Sequence, residues 1–315
     1  MSRKIEISTN QTSYIHHTLL SGLRLTNRPH DSIRDIEINL STTEYGYVEI
    51  NWGLTKLAVR VSAKIVQPYE DRPFEGIFTI NNEINPLISG GAGGGSASSS
   101  ARNDEIMVNR IIEKAIRRSN SLDLESLCII AGEKVWEIMV DLNFLNYDGN
   151  LIDVGCFGVM LALHHFKKPD VSIMNGGERV IVHSVDERMP VSLSILHIPI
   201  CLTWSFYNVH QDKESNIKGG DDDEAGEVCL LDADLLEELN RDGSLVITLN
   251  KNRELIQLSK NGGIAINAEQ LLELSFKSMK IVDELSELIK SKIKEHEELR
   301  YKLENFKLLE ASADR

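Results

Sequence analysis

What this sequence lacks already excludes several classes of protein. It has only four cysteines in 315 residues, and no two of them form a CxxC pair. Structural zinc sites usually take closely spaced ligands, so this spacing argues against a zinc centre. Each cysteine lies in an apolar stretch, which is typical of a reduced core thiol in an intracellular protein. The four are Cys128, Cys156, Cys201 and Cys229.

Long apolar runs are also missing. Residues 1–4 are polar and residues 5–10 are not an apolar h-region, so we expect no secretory signal. No apolar stretch reaches the roughly 20 residues that span a bilayer. These absences predict a soluble protein of the cytoplasm or nucleus that has no contact with membranes.

The chain has no excess of positive charge. It carries 34 Lys and Arg against 48 Asp and Glu, a formal net charge of −14. A free-standing nucleic-acid binder usually has a global basic excess, so this balance argues against that class. A local basic patch stays compatible with it. The 42% hydrophobic and 26% charged residues are ordinary values for a globular chain with room for one large or two small domains.

Hydrophobic periodicity predicts a mixed fold. Alternation of period two predicts half-buried strands, and spacing of three to four predicts helices. Strands followed by a helix occur twice, which predicts two α+β layers, each a sheet covered by helices on one face. The predicted strands are 36–40, 48–52, 57–65, 77–84, 127–131, 134–144, 196–206, 245–249 and 254–259, with short strands around 171 and 180. The predicted helices are 14–20, 104–118, 151–166, 232–239 and 268–293.

Two stretches are predicted to be loops by their composition. Residues 89–100 are almost pure Gly, Ala and Ser, which indicates a flexible insertion within a domain. Residues 219–227 form an acidic loop, and its run of acids from Asp221 lacks the spaced oxygen ligands of an EF-hand. The charged tail after Lys294 is expected to fray.

The predicted helix 104–118 carries a basic stripe. Arg110, Lys114 and Arg117 lie one and two turns apart, opposite the apolar face, and Arg118 flanks them. A cationic stripe on an acidic protein can follow a phosphate backbone. The alternative is a solvated helix face, and Glu113 weakens the stripe.

Seven motifs in a fixed order resemble one known family. They are residues 67–76, 109–119, 127–136, 145–150, 163–170 and 194–201 and the block 232–250. Over about residues 20–290 the chain resembles RNase PH-like ring subunits of the eukaryotic RNA exosome, of a fungal type. The resemblance implies an α+β RNase PH fold made of two ribosomal-protein-S5-domain-2-like units.

The family resemblance also implies partners and a role. Such subunits close into a six-membered ring with other RNase PH-like exosome subunits, and the ring guides single-stranded RNA through a central pore. An S1/KH cap protein and an associated 3′-exoribonuclease are further implied partners, and the nucleus, nucleolus and cytoplasm the implied locations. Matching basic positions line the RNA path, which assigns RNA contact to Arg110, Lys114, Arg117 and Arg118. Arg72, in the loop 67–76, is assigned to the pore or to bracing that loop.

Catalysis is not expected. Active family members are phosphorolytic and hold inorganic phosphate with a Gly-Ser/Thr-Arg run after a DGG-like turn, where the arginine recognises phosphate with two hydrogen bonds. Here the turn is residues 148–150, and residues 151–155 supply neither hydroxyl nor arginine. Asp153 in that run is expected to repel phosphate. We therefore predict no catalytic residue, no cofactor and no metal.

Some family residues are kept. Asp232 and Glu238 fall at the positions of the acids that support general acid catalysis, with the alternative that they favour a helix start or face solvent. The stretch 25–28 resembles an Arg-x-Asp-Gly-Arg motif whose first arginine is displaced to Arg24 or lost, and only Arg28 is clearly kept. Adjacent histidines at 16–17 and 164–165 point about 100° apart on a helix and rarely share a metal. The pair 164–165 is expected at a helix end, where a cation is favourable.

These expectations divide the chain into a lead-in (1–31), a first unit (32–190), a second unit (191–293) and a tail (294–315). The predicted function is a non-catalytic structural and RNA-path subunit of the exosome core ring. Two alternatives stay open. One is an active phosphorolytic 3′-exoribonuclease that uses Asp232 and Glu238, and the other is a protein-interaction module without an RNA role.

Overall fold

The structure is a computed structural model that describes residues 8–85, 99–174, 179–184, 187–209, 226–263 and 265–313. These residues form two large sheets, two short two-stranded ribbons and five α-helices. The described part of the Gly/Ser stretch is its helical end at 99–100, and the acidic stretch 219–227 is described only from 226.

The first sheet is built from the first half of the chain. Its strands are β1 (Ile36–Leu40), β2 (Tyr47–Trp52), β3 (Thr55–Val66), β4 (Ile77–Ile84), β5 (Cys128–Ile130) and β6 (Lys134–Asn146). The order is β1-β2-β3-β6-β4, with β5 also paired to β6. Among the strand pairs described in this sheet, β4–β6 is parallel and the others are antiparallel. Buried residues alternate along β2, as the sequence pattern predicts.

The second sheet has the order β12-β11-β13-β14 and is antiparallel throughout. Its strands are β11 (Ile200–Val209), β12 (Gly226–Leu231), β13 (Gly243–Leu249) and β14 (Leu255–Gly262). Short strands β7 (Lys167–Lys168), β8 (Val171–Met174), β9 (Arg179–Val182) and β10 (Val191–Ser192) form two small ribbons between the sheets in sequence.

The described segments also contain five α-helices: α1 (Thr9–Leu20), α2 (Ser99–Ile116), α3 (Leu151–His165), α4 (Leu235–Asn240) and α5 (Ala268–Ala313). Helix α3 is apolar on every side and contacts β2 and β3 of the first sheet and β11 of the second. One continuous core therefore joins both sheets. Gly158 allows close packing, because a Cβ there would lie 2.7 Å from Leu57 Cδ2.

The structure corrects three details of the predicted elements. Strand β12 was not predicted, because it follows directly on the acidic stretch. Strand β11 begins at Ile200 and not at 196, since Pro199 supplies no N–H for a ladder. Helix α5 continues to Ala313 instead of fraying after Lys294, and His296 is buried on its distal half.

A buried carboxylate ties helix α3 to the second sheet. Asp153 is 1% exposed, and its two oxygens accept hydrogen bonds from the Thr203 N–H (2.8 Å) and hydroxyl (2.6 Å). The expectation that Asp153 repels phosphate at the turn is therefore wrong, because its side chain is taken up inside the core. Burial raises the pKa of Asp153 to about 7, although the Thr203 hydrogen bonds act to lower it.

The raised pKa predicts a pH-dependent stability. A carboxyl group whose folded pKa is about 7 and whose unfolded pKa is about 3.9 stabilises the fold fully below pH 4 and loses that contribution as the pH rises to 7. The quantity of interest is the free energy of unfolding of wild type minus that of Asp153→Asn. We expect this difference to fall by about 1–2 kcal/mol between pH 5 and pH 7. Urea unfolding of both proteins at the two pH values measures this. A difference between them that does not change with pH contradicts it.

Candidate functional site

Arg110 and Lys114 lie on the solvent face of α2, and Arg117 and Arg118 follow in the turn after the helix, which ends at Ile116 and not at the predicted 118. Arg110, Lys114, Arg117 and Arg118 are all exposed. The opposite face is buried in the core through Val108, Ile111, Ile112, Ala115 and Ile116. The apolar period of the helix therefore directs Arg110 and Lys114 to solvent, and Arg117 and Arg118 are exposed in the turn that follows.

Arg72 joins this face across a cleft. The loop between β3 and β4 turns back so that Arg72 lines the same depression of about 1030 Å³ as Arg117 and Arg118. An adjoining depression of about 360 Å³ is lined by Arg110, Lys114 and Arg118. The five residues that the sequence analysis proposed for RNA contact thus share one continuous surface, which we call the basic surface.

Acidic neighbours divide the basic surface into two parts. Arg117 pairs with Glu113 at 2.8 Å and Arg72 pairs with Glu75 at 3.1 Å, so these two arginines are partly neutralised. Both pairs are solvent-exposed and therefore weak. Among the residues that the structure describes, Arg110, Lys114 and Arg118 have no ion pair. These three cations carry most of the surface's attraction for an anion.

A second candidate site surrounds the turn at residues 148–150. Gly149 has φ +84°, and a Cβ there would lie 2.5 Å from the Ala233 carbonyl oxygen and 2.8 Å from the Leu235 nitrogen. Asn150 follows at φ 59° and begins helix α3. The turn is therefore pressed against the start of α4, and only glycine fits at its centre.

Asp232 lies at the centre of this site and is 0% exposed. It accepts hydrogen bonds from the Arg34 guanidinium (2.8 Å) and backbone N–H (2.7 Å), from Trp52 Nε1 (3.0 Å) and from Asn150 Nδ2 (2.6 Å). Burial alone would raise its pKa, but the hydrogen bonds and charge of Arg34 hold the pKa below the usual value. Asp232 is therefore a buried, ionised structural group. The alternative that Asp232 faces solvent is therefore wrong, because its side chain is buried.

Glu238 is held by its neighbours in the same way. Its carboxylate accepts hydrogen bonds from the Tyr147 hydroxyl (2.8 Å) and from the Asn150 N–H (3.1 Å), and it pairs with Arg241 at 3.2 Å. The backbone N–H that follows the Asp-Gly turn, that of Asn150, thus donates to a carboxylate of the same chain. An incoming anion at that N–H would have to displace Glu238.

The arginines near the lead-in are also paired inside the protein. Arg24 is buried, and its guanidinium binds both oxygens of Glu237 and the Leu231 and Asp232 carbonyls. Arg28 pairs with Asp234 at 2.9 Å. Asn27 between them has φ 58°, a conformation that glycine adopts readily and asparagine tolerates. Arg24 therefore braces the second sheet.

Sequence reasoning missed Arg34 and Trp52 as partners of Asp232. They lie 198 and 180 positions away in the chain, and neither belongs to a motif. A lone arginine just before a predicted strand is the only signal, and such residues are usually exposed. The fold brings them together. Arg34 lies just before β1 and Trp52 is the last residue of β2, and both contact Asp232 just before α4.

The two histidine pairs differ from a metal site. No group of three His, Cys, Asp or Glu side chains with metal-ligand geometry occurs in the described segments. His164 and His165 lie at the end of α3 as predicted. The expectation of a cation there is wrong, because burial lowers the pKa of His165 to about 4 and leaves it neutral. Within the described residues, none of the helices is long and apolar enough to cross a membrane.

Family models match both halves of the chain. Residues 32–169 match the 3′ exoribonuclease family, domain 1, and residues 197–280 match domain 2 of the same family. The first match covers the first sheet with α2 and α3. The second covers the second sheet with α4 and the first part of α5.

Known proteins resemble the chain over most of its length. The exosome complex component RRP45 of Saccharomyces cerevisiae is 46% identical over 303 residues, which cover 96% of this chain and 96% of that protein. Its namesake from Schizosaccharomyces pombe is 43% identical and covers 86% of each. A chain of the Archaeoglobus fulgidus exosome, solved with RNA bound to the active site, superposes with a TM-score of 0.69 at 26% identity, covering 88% of this chain and 97% of that one.

Proposed function

This chain belongs to the RNase PH 3′ exoribonuclease family, as its sequence motifs indicated, and from that premise we propose that it is a non-catalytic structural and RNA-path subunit of an exosome core ring. It supports 3′-to-5′ RNA processing and degradation that associated nucleases carry out. Its relatives named as exosome components and its fold, shared with the archaeal exosome chain, support the assignment to such a ring.

One observation carries the proposal that the chain is not itself a nuclease. The N–H that follows the Asp-Gly turn donates to Glu238, and the nearby Arg34 guanidinium is engaged by Asp232. Phosphorolysis needs an anion site with free donors and a free cation beside the scissile bond. Here the chain's own carboxylates fill that place, so inorganic phosphate meets repulsion in it.

The basic surface supports contact with RNA. Arg110, Lys114 and Arg118 stand free of ion pairs in the described part of the chain, and Arg72 and Arg117 face the same cleft. Cations spaced along a groove attract a phosphate backbone without reading its sequence. Such contacts suit a subunit that guides many RNAs.

The remaining assignments follow from the family. The partners are other RNase PH-like subunits of a six-membered ring, an S1/KH cap protein, an associated 3′-exoribonuclease and single-stranded RNA. We assign residues 32–190 to the first unit, 191–293 to the second and 294–315 to a C-terminal tail, after a lead-in at 1–31. The nucleus, nucleolus and cytoplasm are the proposed locations.

Charge reversal tests the RNA path. We expect the triple variant Arg110→Glu/Lys114→Glu/Arg118→Glu, assembled with its ring partners, to lose about tenfold or more in affinity for single-stranded RNA at low salt, because three attractive charges become repulsive. The dependence of the affinity on salt concentration should also become shallower. Fluorescence anisotropy with a labelled RNA measures both quantities.

A matched triple on another surface gives the control. Lys280, Lys290 and Lys294 are exposed on α5. Their replacement by glutamate changes the net charge by the same amount and should leave RNA affinity nearly unchanged. An equal loss of RNA affinity in both triple variants would show that the effect comes from net charge alone. No loss in either would favour the protein-interaction module without an RNA role.

A further inference from the structure

The antiparallel ribbon of β8 and β9 carries a serine and a histidine side by side. Ser172 pairs with Ile181 across the ribbon. The ladder continues beyond β9, because the His183 N–H donates to the Asp170 carbonyl oxygen at 3.0 Å. Ser172 and His183 are therefore diagonal neighbours on one face of the ribbon, within reach of each other. Both lie outside the basic surface and the turn at 148–150.

A line of hydrogen bonds runs from this serine to a carboxylate. Ser172 Oγ lies 2.8 Å from His183 Nε2, and His183 Nδ1 lies 3.3 Å from Glu187 Oε2. The Glu187 N–H donates to the Ser184 carbonyl oxygen at 3.1 Å, which holds the carboxylate close to the histidine ring. A serine, a histidine and a carboxylate in this order form the arrangement that activates a serine for nucleophilic attack.

The neighbouring arginine fixes the direction of these hydrogen bonds. Arg188 Nη1 donates to Ser172 Oγ at 3.0 Å and to the Asp170 carboxylate at 2.8 Å. A guanidinium can only donate, so the one hydroxyl hydrogen of Ser172 is left for His183 Nε2. A carboxylate can only accept, so Glu187 places the proton of the neutral ring on His183 Nδ1. The Nε2 lone pair then faces the serine hydroxyl, as in a general base.

The serine lies on a surface that a reagent can reach. Ser172 is half-buried, and its hydrogen bond with Arg188 is solvent-exposed. Two apolar side chains share its face of the ribbon: Ile181 directly across and Met174 two residues along the strand. Both are exposed. An apolar group attached to the serine could cover them, and the removal of that apolar surface from water is favourable.

We propose that Ser172 is a nucleophilic serine that accepts an apolar acyl group from an activated ester, with His183 as its general base. Ser172 Oγ attacks the carbonyl carbon of the ester while its proton passes to His183 Nε2. The bond between the carbonyl carbon and the leaving oxygen then breaks, and that oxygen takes the proton from His183. The products are an acyl ester of Ser172 and the free alcohol. Glu187 is a positioning residue that keeps Nε2 turned towards the serine.

Acylation of the full-length chain by p-nitrophenyl butyrate tests the proposal. Mass spectrometry of proteolytic peptides should find the butyryl group on Ser172 and much less on the exposed Ser184. His183→Gln should slow the acylation by about 100-fold or more, because the general base is lost. Ser192→Ala, at an exposed serine on β10, should leave the rate unchanged. Circular dichroism of each variant checks that the fold is kept.

NMR of the chain labelled with ¹⁵N-histidine tests the part played by Glu187. At pH 8 we expect the His183 signals, assigned by comparison with His183→Gln, to report a proton on Nδ1. Glu187→Gln should mix the two tautomers, because its amide both donates and accepts, and should slow acylation at least about tenfold. The proposal is overturned if Ser172 reacts no faster than Ser184, if His183→Gln reacts as fast as wild type, or if His183 carries its proton on Nε2.

Discussion

Replacement of Asp232 by alanine is expected to lower the free energy of unfolding by about 3–5 kcal/mol, because it takes the nearest counter-charge from the buried Arg34 guanidinium. The same change removes the acceptor of Trp52 Nε1 and Asn150 Nδ2. Each buried donor that loses its partner adds a desolvation cost. Urea unfolding near pH 7, followed by circular dichroism, measures the difference.

Two further variants separate the charge from the backbone at this position. Asp232 has φ 51°, which alanine tolerates poorly, whereas Asp232→Asn keeps a residue suited to that conformation and removes only the charge. We expect the asparagine variant to lose more than about 2 kcal/mol. Asp71→Ala, at an exposed aspartate, should stay within about 0.5 kcal/mol of wild type. A near-neutral Asp232→Asn would show that the charge network does not stabilise the fold.

The second large effect is expected at Gly149. An alanine there combines the strain of a left-handed conformation with backbone overlap, since its Cβ would lie 2.5 Å from the Ala233 carbonyl oxygen. The two parts of the chain would have to move apart at the base of α3. We expect Gly149→Ala to cost about 2–4 kcal/mol in unfolding free energy.

Gly132 provides a matched control for that change. It has φ +78°, close to the value at Gly149, but no atom lies within 4 Å of the Cβ that alanine would add. Gly132→Ala therefore reports the conformational strain alone, about 1–2 kcal/mol. The difference in urea midpoint between the two variants isolates the close approach of the turn to α4. Equal losses of unfolding free energy would mean that the turn and α4 move apart at no cost when a Cβ is added.

Much of the fold could be predicted because hydrophobic periodicity and residue composition determine secondary structure within single segments. The alternation in β2 and the apolar run of α3 predict a strand and a buried helix at those positions. The amphipathic period of α2 also predicts that Arg110 and Lys114 lie on its exposed face, and they do, whereas Arg117 and Arg118 are exposed in the turn after the helix. The RNase PH fold that the motifs implied is confirmed by the family models and by the superposed archaeal chain.

The interior of the turn site could not be predicted for a physical reason. Whether an acid is exposed or buried depends on partners that come from remote segments, and sequence spacing carries no information about them. Asp232 and Glu238 were therefore given as remnants of catalysis or as solvated acids. The structure instead shows each of them satisfied by three or more donors from its own chain.

Ion pairs around the turn at 148–150 join distant parts of the chain. Arg24, Arg34 and their acids link the lead-in and the first sheet to the second sheet. These buried pairs therefore stabilise the contact between the two halves.

Phosphate-dependent decay of RNA tests the central claim most directly. The purified chain, alone and assembled with its ring partners, receives single-stranded RNA with and without inorganic phosphate, and nucleoside diphosphate is assayed. We predict no diphosphate release that depends on this chain, while the assembled ring still binds RNA. Release of nucleoside diphosphate by the chain alone would contradict the account and would place Asp232 and Glu238 at a working phosphorolytic site.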